Sequence, residues 1–226
     1  VNEELKYWSI SNLKCERVVY LPNFIAETDV KIEQKTKLKG IKGKRIVFLA
    51  NLKNPKNHLN ILKAFAEIHK KYSDWTIHLI GKEYQDEYSK TLHNFINESN
   101  LKNAVYIYDS CNDISFILQQ AKVGILGSTY EGFPVTLLEY GNACLIVMST
   151  NAGYCSNIIT HLQNGLLFDP KDQLEIVKTF ENLISSIENK DIKTLDFGLK
   201  LNENIQKKYT QKIVLEHNIN FIKKQF

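Results

Sequence analysis

The sequence predicts an α/β domain built on a doubly wound parallel sheet. Three observations predict it. Short continuous apolar runs recur from residue 45 onward, as in strands buried on both faces. Most are followed by a segment whose apolar residues fall at helical spacing. Polar turns separate the two, and such alternation argues for a parallel sheet covered on both sides.

Taken in order, "RIVFLA" (45–50) is the first strand and "NLKNPKN" the turn after it. "HLNILKAFAEIHKKY" places Leu59, Leu62, Phe65, Ala66 and His69 at helical spacing. "WTIHLIG" (75–81) is a strand ending in Gly81, and "QDEYSKTLHNFINES" is a helix with Tyr88, Leu92, Phe95 and Ile96 on one face. "AVYIYD" (104–109) is a strand, and "DISFILQQA" is a helix opened by Asp113 as N-cap. "VGILG" (123–127) is a strand. "PVTLLEYGN" is a helix with Pro134 in its first turn, where a missing N–H costs nothing. "CLIVMS" (144–149), begun by Cys144 as a small core residue, and "NGLLFDP" are strands. "DQLEIVKTFENLISSIE" is a long amphipathic helix. Before residue 45, "RVVYLPNF" (17–24) reads as one strand stopped by Pro22, followed by a basic run. After about residue 190 the chain is helical and polar, anchored by Tyr209, Ile213 and Phe221. Three parts are expected: 1–44 as junction strand and linker, 45–190 as the ligand-binding domain, and 191–226 as terminal helices.

The composition narrows the function. The 226 residues are 43% apolar and 24% charged, with a net charge of +4. That balance is ordinary for a soluble globular chain and too mild for a nucleic-acid binder. The densest basic run, "KIEQKTKLKGIKGKR" (31–45), has no aromatic residue and reads as a solvated linker, with attraction to an anionic membrane surface as the second reading. Cys15, Cys111, Cys144 and Cys155 form no C-x-x-C pair. No apolar run is long enough to span a bilayer, and no signal peptide opens the chain. An opening "VNEEL" without methionine points to a piece of something longer.

Ligands of doubly wound sheets bind outside the carboxyl ends of the strands. Four turns qualify: "NLKNPKN", "GKEY", "STYEGF" and "STNAGYCSN". One of them opens "STYEGFPVTLLEYGN" (128–142), which holds Glu131 and Glu139 eight residues apart. Each acid alone fits a surface residue near a helix start. Glu139, however, is flanked by Leu137, Leu138 and Tyr140, and a carboxylate there needs a partner. At about 1.5 Å per residue, Glu139 lies roughly 8 Å along the helix from Pro134. The N–H groups of Gly132, Phe133 and Val135 lie between the acids, at a helix start that favours anions. Hydroxyls, then phosphate, then hydroxyls would match this layout, which is that of a nucleotide sugar.

"STYEGFPVTLLEYGN" resembles the E-x7-E signature of retaining glycosyltransferases of family four, whose fold is called GT-B. The usual form is S-x-x-E-G-F-[GP]-x-x-x-x-E-A, and Tyr140 departs from its alanine. "VVYLPNF" resembles the entry to the family's second domain, "RIVFLANLKNPKNHLNILKAF" its first strand and phosphate loop, and "NAGYCSNIITHLQNGLLFDPKD" its closing segment. The resemblance covers roughly residues 17–190.

The resemblance implies that the chain is a donor-binding, Rossmann-like C-terminal half. It implies a nucleotide-sugar donor, of the UDP- or GDP- type, and hexosyl transfer with retention. No metal or other cofactor is implied, and no metal ligands are assigned. Glu139 would accept from the ribose hydroxyls, and Glu131 would hold the donor sugar or steady charge at the reacting carbon. Gly132, Phe133 and Val135 would face the diphosphate or sugar, with Ser128 and Pro134 beside them. Lys56 would neutralise the leaving diphosphate and Lys53 would supply a second cation, while Asn51 stands where an arginine is common. Gly81 and Gly153 would let backbone approach the ligand; Glu83 replaces a second glycine and Asn157 a glutamate. The acceptor, a glycan or lipid-linked, would bind through an N-terminal domain outside this chain, leaving the piece alone inactive or weakly active. The Lys-, Asn- and Ile-rich composition points to a low-GC bacterium and a role in surface polysaccharide assembly, in the cytoplasm or at the inner face of the membrane. The competing readings are a binding module without catalysis and a nucleotide-sugar epimerase.

Overall fold

The computed structural model describes residues 3–13, 18–25 and 35–223. Six strands form one parallel sheet: β1 (Arg45–Leu49), β2 (Thr76–Ile80), β3 (Val105–Tyr108), β4 (Val123–Leu126), β5 (Ile146–Thr150) and β6 (Leu166–Phe168). Their order is β3-β2-β1-β4-β5-β6, the doubly wound arrangement the sequence predicts. The helices are α1 (Glu3–Leu13), α2 (His58–His69), α3 (Glu87–Glu98), α4 (Ile114–Leu118), α5 (Val135–Asn142), α6 (Cys155–Ile158), α7 (Gln173–Glu188), α8 (Ile192–Leu195), α9 (Phe197–Lys208) and α10 (Gln211–Lys223).

Two apolar layers enclose the sheet. Ile46 and Phe48 of β1 join Ile61, Phe65, Leu92 and Phe180 on the face covered by α2, α3 and α7. Val47 points the other way, into a layer with Ile117, Leu137, Leu138, Cys155, Leu201 and Ile205 under α4, α5, α6 and α9. The alternation along β1 follows from the period of two, so its successive buried residues pack into opposite layers.

The structure corrects several expectations. Residues 18–24 form no strand; Ile25 makes only an isolated bridge to Thr210. Helix α1, which the pattern did not announce, exposes Leu5, Tyr7, Trp8, Ile10 and Leu13. The basic run is more than solvated linker where it is described, from residue 35 onward: Leu38 is buried, and Thr36 donates through N and Oγ1 to Asp113. Asp113 is therefore taken by Thr36 and makes no side-chain cap on α4. Cys144 is exposed, in the left-handed region just past α5, so β5 begins two residues later at Ile146. Cys15 lies outside the described residues.

Two buried imidazoles give the fold a pH dependence. His58 stacks on Phe48 with ring centroids 4.3 Å apart, and His78 stacks on Tyr106 at 5.4 Å. Burial pulls both down to about 4, so they fold neutral. The unfolded chain binds these protons first, so their contribution is complete above 6.5 and is lost as pH falls toward 4. Urea midpoints should decline over that window, and His78→Phe should flatten the decline. A decline identical in wild type and variant would contradict the assignment to His78.

Candidate functional site

The switch point of the sheet lies between β1 and β4, the central neighbours. Their following helices go to opposite faces, α2 to one and α5 to the other. A crevice must open where the two connections part. The loop after β1 (50–57) and the loop after β4 (127–134) form its walls. They are tied together: the Thr129 N–H donates to the Pro55 carbonyl at 2.9 Å.

This tie brings the two residues with assigned chemistry into contact. Lys56 closes a single 3-10 turn (Asn54–Lys56), and its Nζ lies 2.6 Å from Glu131 Oε1. The Glu131 side chain is 11% exposed and that of Lys56 is 34% exposed, so the carboxylate is the deeper partner. Among the described residues neither the Gly132 nor the Phe133 N–H is engaged, and space is open over Gly132. The Val135 N–H is not free as expected: it donates to the Phe133 carbonyl at 3.0 Å. A lysine ammonium and two free amides thus share one end of the crevice, which suits a phosphate.

Glu139 is placed differently. It is half-buried on α5, and its carboxylate has no hydrogen-bond or ion-pair partner among the described residues. Burial raises its pKa above the ordinary glutamate range, with no compensating donor. The next residue, Tyr140, is fully buried and reaches into the sheet. The Leu49 N–H donates to its hydroxyl at 2.8 Å, and the hydroxyl donates to the Ile125 carbonyl at 3.0 Å.

The other expected site residues fall into two groups. Lys53 is within the crevice loop with no carboxylate partner among the described residues, its Nζ 4.5 Å from the Tyr84 ring centre. Pro134 is buried at the start of α5, and Ser128 is fully buried with its hydroxyl unpartnered among the described residues. Asn51, Gly81 and Gly153 make contacts within the scaffold. Asn51 Oδ1 accepts from the Lys82 N–H at 2.9 Å, binding the loops after β1 and β2. Gly81 has φ +148°, and a Cβ there would lie 2.4 Å from the Ala50 carbonyl. A Cβ on Gly153 would strike the Glu131 carbonyl. The close approach both glycines permit is between loops, and Gly153 thereby seats the Glu131 loop. Asn157 is exposed on α6. Cys155 lies under this loop, and burial pushes its thiol up to about 12, which removes it as a nucleophile at neutral pH. Tyr140 was not expected as a site element; Gly124 in mid-strand was its signal, since such a glycine marks a close approach. A depression of about 450 Å³ between α2 and the end of α3, lined by Lys63, His69 and Phe95, is separate from the crevice. No helix of the described residues is long and apolar enough to cross a membrane.

Comparison with known proteins agrees with this geometry. Residues 29–223 match the family of glycosyl transferases group 1. An uncharacterized glycosyltransferase of Haemophilus influenzae is 27% identical over 158 residues, covering 68% of this chain and 43% of the relative. A Neurospora crassa GDP-Man:Man(3)GlcNAc(2)-PP-Dol alpha-1,2-mannosyltransferase is 30% identical over 145 residues, covering 60% of this chain and 26% of the relative. Among solved structures, S. aureus TarM, in complex with UDP and other ligands, superposes with a TM-score of 0.76 at 21% identity, covering 98% of this chain and 42% of that one. Anabaena HepE in complex with UDP and glucose gives 0.73 at 18% identity, covering 81% and 49%. The C-terminal domain of a group 1 glycosyl transferase from Francisella tularensis gives 0.67 at 24% identity, covering 76% and 89%. The chain spans less than half the length of these two curated relatives. It belongs to the group 1 glycosyl transferases, and its fold is the Rossmann-like one of GT-B enzymes.

The unpartnered Glu139 sets a trade between stability and site. Its raised pKa means that the charged form opposes folding. The penalty is present above the folded-state pKa and vanishes as pH falls below the ordinary glutamate range. Glu139→Gln should therefore stabilise the ligand-free chain by about 0.5–2 kcal/mol at pH 7, and the gain should disappear in acid. Thermal unfolding of both proteins at pH 7 and pH 4 checks the sign; destabilisation at pH 7 would contradict it.

Proposed function

We propose that this chain is the donor-binding part of a retaining glycosyltransferase that moves a hexosyl group from a UDP- or GDP-sugar to an acceptor. The observation that supports it most directly is the contrast between two carboxylates on the loop and helix that follow β4. Glu131 is held by Lys56, and Glu139 stands half-buried with no partner among the described residues. A buried carboxylate without a donor is costly unless a ligand supplies one. Two ribose hydroxyls would do so.

In this reading Glu139 binds the ribose, and the Gly132 and Phe133 amides with Lys56 and Lys53 receive the diphosphate. Glu131 lies by the donor sugar. In the transfer the bond between the anomeric carbon and the diphosphate oxygen breaks, and its electron pair leaves with the nucleoside diphosphate. The acceptor oxygen forms the new bond on the same face and gives up its proton to an oxygen of the departing diphosphate. Negative charge grows on the leaving diphosphate, where Lys56 and the start of α5 stabilise it electrostatically. The leaving charge is met by protein cations and amides, so no metal is assigned a role. When diphosphate draws Lys56 away, the Glu131 carboxylate is released toward the sugar. The acceptor, a glycan or lipid-linked intermediate of surface polysaccharide assembly, would be held by a further domain, on the cytoplasmic side of the membrane.

Calorimetry with UDP and GDP, their sugar conjugates and the bare nucleosides tests the reading. Lys56→Ala should weaken diphosphate binding by about 1–3 kcal/mol and leave nucleoside binding nearly unchanged. Equal losses would remove Lys56 from the phosphate site. Glu139→Gln should weaken every nucleotide, with or without sugar. Glu131→Gln should leave bare diphosphate binding intact, since it frees Lys56, and in the full-length enzyme should lower turnover more than donor affinity. If Glu131→Gln abolishes diphosphate binding while Glu139→Gln has no effect, the assignment is reversed.

A further inference from the structure

The β1–β4 ladder is short. Only Ile46 pairs with Val123 and Val47 with Gly124, whereas β1 and β2 pair along five residues. Both strands nevertheless continue, β1 to Leu49 and β4 to Leu126. In a parallel ladder of this register, the Leu49 N–H would next donate to the Ile125 carbonyl. Instead the Tyr140 hydroxyl stands between them, accepting from Leu49 N at 2.8 Å and donating to Ile125 O at 3.0 Å. One direct bond is replaced by two bonds through an oxygen, so the strands are held apart at their carboxyl ends.

The surroundings are built for this insertion. A Cβ on Gly124 would lie 2.6 Å from the Tyr140 ring, so the tyrosine requires glycine there. Thr136, one turn earlier on α5, reaches the Leu49 carbonyl at 3.4 Å. Helix α5 therefore grips Leu49 at its N–H and at its C=O. Tyr140 is fully buried, and burial raises its pKa far out of reach, so the hydroxyl stays a neutral donor and acceptor. The parted strands lead into the loops that bear Lys56 and Glu131, and Glu139 is the residue before the tyrosine.

We infer that Tyr140 is a positioning residue whose hydroxyl, inserted between β1 and β4, sets the width of the crevice and the placement of Glu139 for the nucleotide. This rests on the proposed nucleotide-binding function, but its structural half can be judged without it. The ring contributes packing, and the hydroxyl contributes the spacing; Tyr140→Phe separates the two.

The test compares wild type, Tyr140→Phe, Glu139→Gln, the double variant, and Phe180→Leu as a core change on the opposite face of the sheet. First, hydrogen exchange by NMR needs no ligand. Tyr140→Phe should speed exchange of the Leu49 amide and shift the amides of the 50–57 and 127–134 loops, leaving Ile77 and Leu79 of β2 as they were. Phe180→Leu should move neither loop. Second, Tyr140→Phe should weaken UDP or GDP by about ten-fold, and most of that loss should be absent in the Glu139→Gln background, since the tyrosine acts through Glu139. Phe180→Leu lowers stability and should leave nucleotide affinity unchanged. Unchanged exchange at Leu49 overturns the insertion. Faster exchange with unchanged affinity, or a loss fully additive with Glu139→Gln, overturns the positioning role. If wild type binds neither nucleotide, the functional reading fails, and the exchange and loop shifts alone decide the inserted hydroxyl.

Discussion

The structure turns on the parting of two neighbouring parallel strands. Strand β1 sends its chain to one face of the sheet and β4 sends its chain to the other. No helix can cover both exits, so the carboxyl ends of these strands must face a crevice. Everything assigned to function gathers there. The loop after β1 brings Lys56, the loop after β4 brings Glu131 with two amides unengaged among the described residues, and α5 brings Glu139. The scaffold holds these loops through ordinary devices: the Thr129–Pro55 bond, the Asn51–Lys82 bond, and Gly153 against the Glu131 carbonyl.

Electrostatics explains why the two acids behave differently. Glu131 has a cation at 2.6 Å, a charge-assisted contact. Glu139 has only desolvation acting on it. A folded chain bears such a cost only where something outweighs it, and binding sites are where that usually occurs. In the proposed reading, this ion pair would hold Lys56 for the diphosphate and engage Glu131 until the diphosphate binds. The two acids thus differ in what the surrounding protein supplies to each.

Much of this was legible in the sequence. Continuous apolar runs gave all six strands because a strand buried on both faces has no polar side to hide. The spacing of Glu131, Pro134 and Glu139 placed both acids correctly relative to α5. What was not legible depended on contacts distant in the chain. "RVVYLPNF" is apolar enough for a strand, but pairing needs a free sheet edge, and residues 18–24 find none. Helix α1 lacks an amphipathic stripe and so left no periodic mark. Asp113 has the chemistry of a cap, yet Thr36, far away in sequence, takes its carboxylate. Tyr140 looked like a bulky departure from a small residue; its partner Gly124 lies sixteen residues earlier, and only the fold shows that one makes room for the other.

The central claim is that a nucleoside diphosphate enters the crevice between β1 and β4 with its ribose on Glu139 and its phosphates on Lys56. Titrating UDP or GDP into the isotope-labelled chain and mapping the amide shifts tests this most directly. The account predicts that the largest shifts fall on residues 53–57, Gly132 and Phe133, and the turn of α5 around Glu139. Shifts confined to the far side of the sheet, around α3 and the end of α2, would contradict it.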